Sequence, residues 1–280
     1  MAILLGLAAA ASYGVADFLG GLASRWIRAT LAVVISQAVG LTILVALIPT
    51  FGEPLTGRAA SWGAAAGVAG GLGVLLLYIG LGRGRMAVVA PVSGVVGASV
   101  PVVVDLVAGD RVGGVTLLGV LVALTAIALV SWHPGHGERG RGRLWRDGLL
   151  EGLLAGAGFG AFFVIFAEAG EGGSFWPLVA VRVASVTMLV GIALASRSFA
   201  KVDRRSFGTL VAAGILDTSA NLFYLLGTRR GLLSVVAVLT SLYPAGTVLL
   251  ARVALAERIH PVQLVGLAAA LAGVVLITVG

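Results

Sequence analysis

Cysteine is absent from this 280-residue chain. That excludes a disulfide framework, a cysteine-ligated zinc site and a thiol nucleophile. Histidine is nearly absent too. His133, His136 and His260 are the three, all in predicted loops, so a His-based metal site or catalytic triad is not expected. Charged residues make up 11% of the chain, whereas a soluble domain needs roughly a quarter to cover its surface. Lysine occurs once, as Lys201, against a large excess of arginine, a bias that points to a GC-rich bacterial genome. No GxxxxGK[ST] phosphate loop, GxSxG elbow or HExxH helix is present, so the chain lacks its own ATP drive and the usual hydrolase signatures. The stretch GRGRMAVVAP is glycine-rich but lacks the strand–turn–helix setting that a phosphate loop needs.

What the chain has instead is apolar length. Hydrophobic residues make up 59% of it, and the scarcity of charge makes lipid its solvent. The net charge of +7 would point to nucleic acid in a soluble protein. Here the arginines sit in short loops between apolar runs, which is a topology signal, and no nucleic-acid partner is expected. A bilayer core of roughly 30 Å needs about 20 apolar helical residues. Ten such spans are predicted, over 2–24, 30–50, 60–82, 86–107, 112–132, 148–169, 175–196, 207–228, 232–253 and 261–279. The first lacks a basic leading region and is one copy of a repeat, so it is read as a helix and not as a signal peptide.

The chain is written twice. Moved along by 147 positions, residues 60–132 fall without a gap on 207–279, with 18 identities in the 73 pairs. Ala65-Ala66-Gly67 meets Ala212-Ala213-Gly214, Val88-Val89-Ala90 meets Val235-Val236-Ala237, and Gly119 meets Gly266. The N-terminal stretch repeats at offset 146, where Gly14 meets Gly160 and Tyr13 meets Phe159. Five spans per copy is an odd number, so the second copy must enter the membrane from the opposite face. The fold class expected is an all-α membrane protein of ten transmembrane helices in two inverted five-helix repeats. The first repeat is 1–132, the second is 148–280, and the polar Gly/Arg-rich segment 133–147 links them.

Basic residues orient the chain. Loops joining odd to even spans, the linker included, hold fourteen Lys/Arg, and the other side holds Arg58, Arg111, Arg229 and Arg230. The positive-inside rule then puts the linker in the cytoplasm and both termini outside.

The closing segment, TSLYPAGTVLLARVALAERIHPVQLVGLAAALAGVVLIT, carries Pro244, Glu257-Arg258 and Gly266. The first half has the counterpart Pro101, Asp110-Arg111 and Gly119, with the proline displaced in register. The pattern resembles the last two helices of EamA-type proteins of the drug/metabolite transporter superfamily, and the resemblance extends over essentially the whole chain. It implies a transporter of small metabolites or drugs, working by alternating access around a central cavity. It names no substrate, because the superfamily handles amino acids, sugars, nucleotide sugars and amphipathic toxins. Ten-helix members are commonly drawn with cytoplasmic termini, opposite to the charge count here.

Most of the repeat reads as packing. Gly152, Gly156 and Gly160 form one smooth helix ridge, and Gly63, Gly67 and Gly71 form another. Such small-residue ridges let helices approach closely in lipid, and helices could also slide along them. Asp110-Arg111 and Glu257-Arg258 read as helix-end and topology markers.

Charges within spans are costly and mark a partner or a wet cavity. Asp217, Asn221 and Tyr224 share one face of the eighth span, where the first copy has Gly70, Val74 and Leu77. Packing would affect both copies alike, so this asymmetry points to solute contact. The alternative is that Asp217 is a counter-ion for Arg182 in the seventh span. Arg182 could clamp an anionic group, pair with Asp217 or reach the interface. Asp17 is opposed by Phe163 in the other copy and is a candidate for proton coupling, as is Asp217. The alternative for Asp17 is pairing with Arg25 or Arg28. Ser93, Gly97, Pro101 and Asp105 fall on one face of the fourth span, and Thr240, Tyr243, Pro244 and Thr247 make a polar, kink-prone face in the ninth.

The reading that results is a secondary transporter, expected to export small metabolites such as amino acids, with proton coupling as one mode. Its central site is bounded by helices 1, 3, 4, 6, 8 and 9. Substrate-binding candidates are Tyr13, Asp217, Asn221, Tyr224, Tyr243 and Arg182, and proton-coupling candidates are Asp17 and Asp217. No enzyme activity, cofactor or metal is expected. The expected partners are a small-molecule solute and the lipid bilayer of a bacterial inner or plasma membrane, with the protein a monomer or homodimer. Three rivals stand beside it, a cationic multidrug exporter, a membrane enzyme acting on lipid-linked phosphate and a passive channel.

Overall fold

The computed structural model describes residues 1–50, 54–109, 113–130, 148–169, 175–198, 200–228, 230, 236, 239–240, 242–256 and 260–280. The linker 133–147 and the pairs Asp110-Arg111 and Glu257-Arg258 lie outside the described residues, as does the side chain of Asp105.

Long apolar runs must satisfy their backbone internally in lipid, so each becomes a helix. They are α1 (Ala2–Ala23), α2 (Ala29–Leu47), α3 (Gly57–Gly82), α4 (Met86–Ala108), α5 (Gly114–Val130), α6 (Leu149–Ala169), α7 (Trp176–Ala195), α8 (Arg204–Thr228), α9 (Tyr243–Leu255) and α10 (Pro261–Val279). Among the described residues, eight are long and apolar enough to cross a membrane, and α5 and α9 are shorter apolar helices.

Local sequence sets the ends. Thr56 caps α3, its hydroxyl accepting from the Ala59 amide at 3.1 Å. Asp203 caps α8, its carboxylate accepting from the Arg205 and Ser206 amides at 3.1 and 3.3 Å. Hydrogen bonds from Ser206 and from the Arg205 amide hold the Asp203 carboxyl below the usual carboxylate range. His260 and Gln263 form a capping box at the start of α10, with Pro261 in the first turn. Gly84, at φ +78°, makes the turn from α3 to α4, a backbone conformation that favours glycine.

The ninth span differs from expectation. Leu242 is in a turn and α9 begins at Tyr243, with Pro244 in its first turn. The described residues 236 and 239–240 before it are helical as well, so the span is interrupted at Leu242 and Pro244 stands in the first turn of the helix beyond. Pro91 and Pro101, in contrast, both lie inside α4.

Helix packing is dominated by α5 with α10, α3 with α6, α1 with α8, α4 with α6 and α3 with α7. Contacts of α2 with α7 and α8, and of α1 with α9, complete the central bundle. The glycine ridges are the contact surfaces. A Cβ on Gly63 would lie 3.0 Å from the Pro177 carbonyl oxygen, and one on Gly71 would lie 3.0 Å from Ser185 Cβ, both on α7. The α6 ridge meets α4, where a Cβ on Gly152 would lie 3.0 Å from Val92 Cβ and one on Gly156 would lie 2.7 Å from the Ser93 carbonyl oxygen.

Ion pairs hold the two ends of α6. Arg83, at the C-terminus of α3, pairs with Glu151 near the start of α6. Arg58, near the start of α3, pairs with Glu168 near the end of α6 at 2.8 Å, with both side chains half exposed. The two helices therefore run antiparallel. Half-exposed pairs such as Arg58–Glu168 contribute at most about 1 kcal/mol. Glu151 is buried, with one carboxylate oxygen unpartnered among the described residues. Arg83→Ala is therefore expected to lower the thermal midpoint in detergent more than Arg58→Ala does; equal shifts would contradict this.

Candidate functional site

Arg182 is the only charged residue of α7 and is buried, 7% exposed. A guanidinium there must be neutralised and hydrogen-bonded. It pairs with Asp217 on α8 and donates to the side-chain oxygen of Gln37 on α2. Ser185, one turn further along α7, also donates to Gln37, at 3.3 Å. Asn221 donates its side-chain amide to the Asp217 backbone carbonyl at 2.8 Å. Three helices are thus joined through one cation.

Glycine makes the space for this network. A Cβ on Gly40 of α2 would lie 2.6 Å from the Thr218 hydroxyl and 3.3 Å from Arg182 Nε. The Thr218 hydroxyl is buried and has no hydrogen-bond partner among the described residues.

Asp17 differs from Asp217. It lies partly buried in the C-terminal third of α1 and forms no ion pair or hydrogen bond among the described residues. Arg28, one partner considered from sequence, instead donates to the Ser196 and Arg197 carbonyls at the end of α7, at 3.2 and 3.3 Å. Asp217 is the neighbour that acts on Asp17 electrostatically.

Aromatic rings complete the cluster. Tyr13 and Tyr243 meet edge to face, with ring centroids 6.1 Å apart. Tyr13 lies within electrostatic range of Asp217, Arg182, Tyr224 and Asp17. The Tyr78 ring of α3 packs directly onto Gly20 of α1. The Tyr243 hydroxyl faces α4, 3.6 Å from where a Cβ on Gly94 would lie. Thr247 of α9 donates to the Gly14 carbonyl at 3.2 Å, which fixes α9 against α1. Tyr13, Asp17, Asp217, Asn221, Tyr224 and Tyr243 all keep some accessible surface although their helices pack together.

The seven residues singled out from sequence therefore lie in one region. Arg182 is closed off by its partners, whereas Asp17 is not. Gln37, Ser185, Thr218 and Tyr78 belong to the same region and were not singled out. The available signal was a glutamine in the middle of an otherwise apolar span. A search restricted to charged residues passes over it.

A separate apolar groove of about 540 Å³ runs between α3 and α7, lined by residues including Leu55, Trp176, Val183 and Met188. It contains none of the clustered titratable groups. Among the described residues no group of three His, Asp or Glu side chains could hold a metal ion.

Residues 146–279 match the EamA-like transporter family. This stretch, just under half of the chain, is thus similar to that family. The EamA half contains α6–α10, and with them Arg182, Asp217, Asn221, Tyr224 and Tyr243. Taken with the apolar helices, it identifies a multi-pass membrane protein of transporter type. A solved crystal structure superimposes on the EamA half and the half before it together, covering 99% of this chain and 96% of the other at a TM-score of 0.60. The two sequences are 17% identical, so the likeness is one of fold. No curated protein sequence matches the chain.

Proposed function

We propose that the chain is a secondary active transporter of small metabolites that carry a protonated amine, such as amino acids, working by alternating access. The observation that carries this reading is the contrast between Asp17 and Arg182. Arg182 is neutralised by Asp217 and hydrogen-bonded to Gln37, so within this cluster, among the described residues, an anion finds no open cation. Among the described residues Asp17 remains a carboxylate without a partner, within electrostatic range of Tyr13 and Tyr78. A protonated amine would offer it a counter-ion, and the faces of Tyr13 and Tyr243 would add cation–π attraction. When no solute is bound, the same carboxylate can hold a proton, which couples the two cargoes.

The architecture we propose is two inverted five-helix repeats, 1–132 and 148–280, joined by the linker 133–147. Helix pairing supports it. Exchanging each helix with the one five places along turns the α3–α6 contact into α1–α8, α4–α6 into α1–α9, and α3–α7 into α2–α8. The α5–α10 and α2–α7 contacts map onto themselves. Arg25 and Arg28, Arg83 and Arg85, and Arg197 to Arg205 cluster at one end, which supports a cytoplasmic assignment for that end and outside termini. Export from a bacterial inner membrane is the direction proposed.

Asp17→Asn is expected to abolish pH-gradient-driven uptake of a responsive amine solute into proteoliposomes, at least about tenfold, while solute counterflow persists. Candidate solutes come from a metabolite panel screened for thermal stabilisation. Unchanged gradient-driven uptake by both Asp17→Asn and Asp217→Asn would end the proton-coupled reading. A cationic multidrug exporter is the second reading, and buried Arg182 favours it equally. The two separate on whether solutes need a carboxylate as well as an amine.

A further inference from the structure

One end of the bundle carries cations that the fold leaves without carboxylate partners. The α1–α2 connection contributes Arg25, Trp26 and Arg28. The α7–α8 connection contributes Lys201, Arg204 and Arg205. Two contacts bring these connections together. Arg28 donates to the Ser196 and Arg197 carbonyls at the end of α7, and the Arg205 guanidinium sits 4.6 Å over the Trp26 ring. All six side chains are exposed. Among the described residues none of the five cations forms an ion pair. The one carboxylate between them, Asp203, accepts from the α8 backbone. Arg197, also exposed, adds a further positive charge beside them.

Such a cluster repels itself unless an anion joins it. The surroundings say which kind. Trp26 is 39% exposed, Leu194 is 62% and Phe207 is 52%. Leu194 lies one turn before Arg197 at the end of α7, and Phe207 lies one turn after Arg204 at the start of α8. Cations thus adjoin bare apolar side chains at the level where helices leave the membrane. A free phosphate would use only the former, whereas a phospholipid would use both. Tryptophan and arginine are also the residues that settle at the headgroup level.

We propose that the junction of the α1–α2 and α7–α8 connections is a binding site for the phosphate headgroup of an anionic phospholipid, whose chains lie along Trp26, Leu194 and Phe207. Each cation adds attraction to an anionic headgroup, and the attraction falls off within about 8 Å at physiological salt. The site needs only that the chain spans a bilayer and is independent of the transport reading.

Native mass spectrometry of the full chain in detergent tests it, with titration by phosphatidylglycerol and by phosphatidylcholine of the same chain length. The wild type should retain phosphatidylglycerol preferentially. Lys201→Gln/Arg204→Gln/Arg205→Gln should lose that preference by about tenfold or more, whereas Arg230→Gln, in the connection after α8 at the other end, should keep it. Equal binding of the two lipids by the wild type would overturn the proposal. So would an equal loss in Arg230→Gln, which would indicate diffuse charge. Displacement by inorganic phosphate, with no dependence on lipid chains, would replace the lipid with a soluble anion. Should the triple variant fail to fold, Arg205→Gln alone is titrated in the same way. No loss of preference there would overturn the proposal too.

Discussion

Arg182→Ala is expected to destabilise the protein by about 3–5 kcal/mol, the range for removing one partner of a buried ion pair. The loss comes less from the missing attraction than from what is left behind. Asp217 would keep its charge inside the bundle without a cation, and Gln37 would keep one donor, Ser185, instead of two. The double variant Arg182→Ala/Asp217→Ala removes the stranded charge together with its partner. It should therefore be more stable than Arg182→Ala alone, in thermal unfolding followed by loss of the monodisperse peak in detergent. Strictly additive losses would show that the pair is not coupled, and would reopen Arg182 as a free clamp for anions. The cycle also bears on transport. If Arg182 and Asp217 serve mainly to join α2, α7 and α8, a folded Asp217→Asn protein should bind solute better than a folded Asp17→Asn protein.

Gly67→Ala should be the most damaging single methyl addition among the glycines with defined surroundings. A Cβ there would overlap the Val181 carbonyl, 2.9 Å from its carbon and from Val181 Cα. These are backbone atoms of α7 and have no rotamer to adopt, so the helices must separate. Overpacking of this kind costs about 3 kcal/mol, and parting α3 from α7 would also shift Arg182, one residue further along. The control lies on α7 itself. Gly191 has nothing within 4 Å of its missing Cβ, so Gly191→Ala should raise stability by up to about 1 kcal/mol through helix propensity. A thermal-shift comparison of the two variants in one detergent checks both signs. Equal, small effects would mean that the α3–α7 contact is looser than its geometry.

Much of this was legible in the chain. Apolar length predicted helices over every region where the structure describes one, because a backbone in lipid must bond within its own segment. Glycines at four-residue spacing marked the faces of α3 and α6 that touch α7 and α4, since only small residues allow backbones so close. Comparing the two copies picked out Asp17 and Asp217 by their mismatched partners. Other features were not legible. Pro244 falls in a polar, kink-prone stretch, but that the interruption falls at Leu242, with α9 opening at Tyr243, was set by the fold. Gln37 carries no charge and lies in an unremarkable apolar span, so its place beneath Arg182 could not be inferred.

The sequence by itself determined that this chain lives in a membrane, that its stretches 60–132 and 207–279 resemble each other, and which carboxylates and arginine lie within its apolar spans. Those conclusions depend on composition and spacing, which are local properties. Only the tertiary structure decided which carboxylate Arg182 neutralises. The sequence offered Asp217 both as a solute contact and as a counter-ion for Arg182, and Asp17 both as a proton carrier and as a partner of Arg25 or Arg28, and no spacing rule chooses between those roles. The α2–α7–α8 crossing brings Asp217 to Arg182 and leaves Asp17 unpaired among the described residues. The difference between a structural counter-ion and a candidate solute-binding carboxylate is therefore set by helix packing.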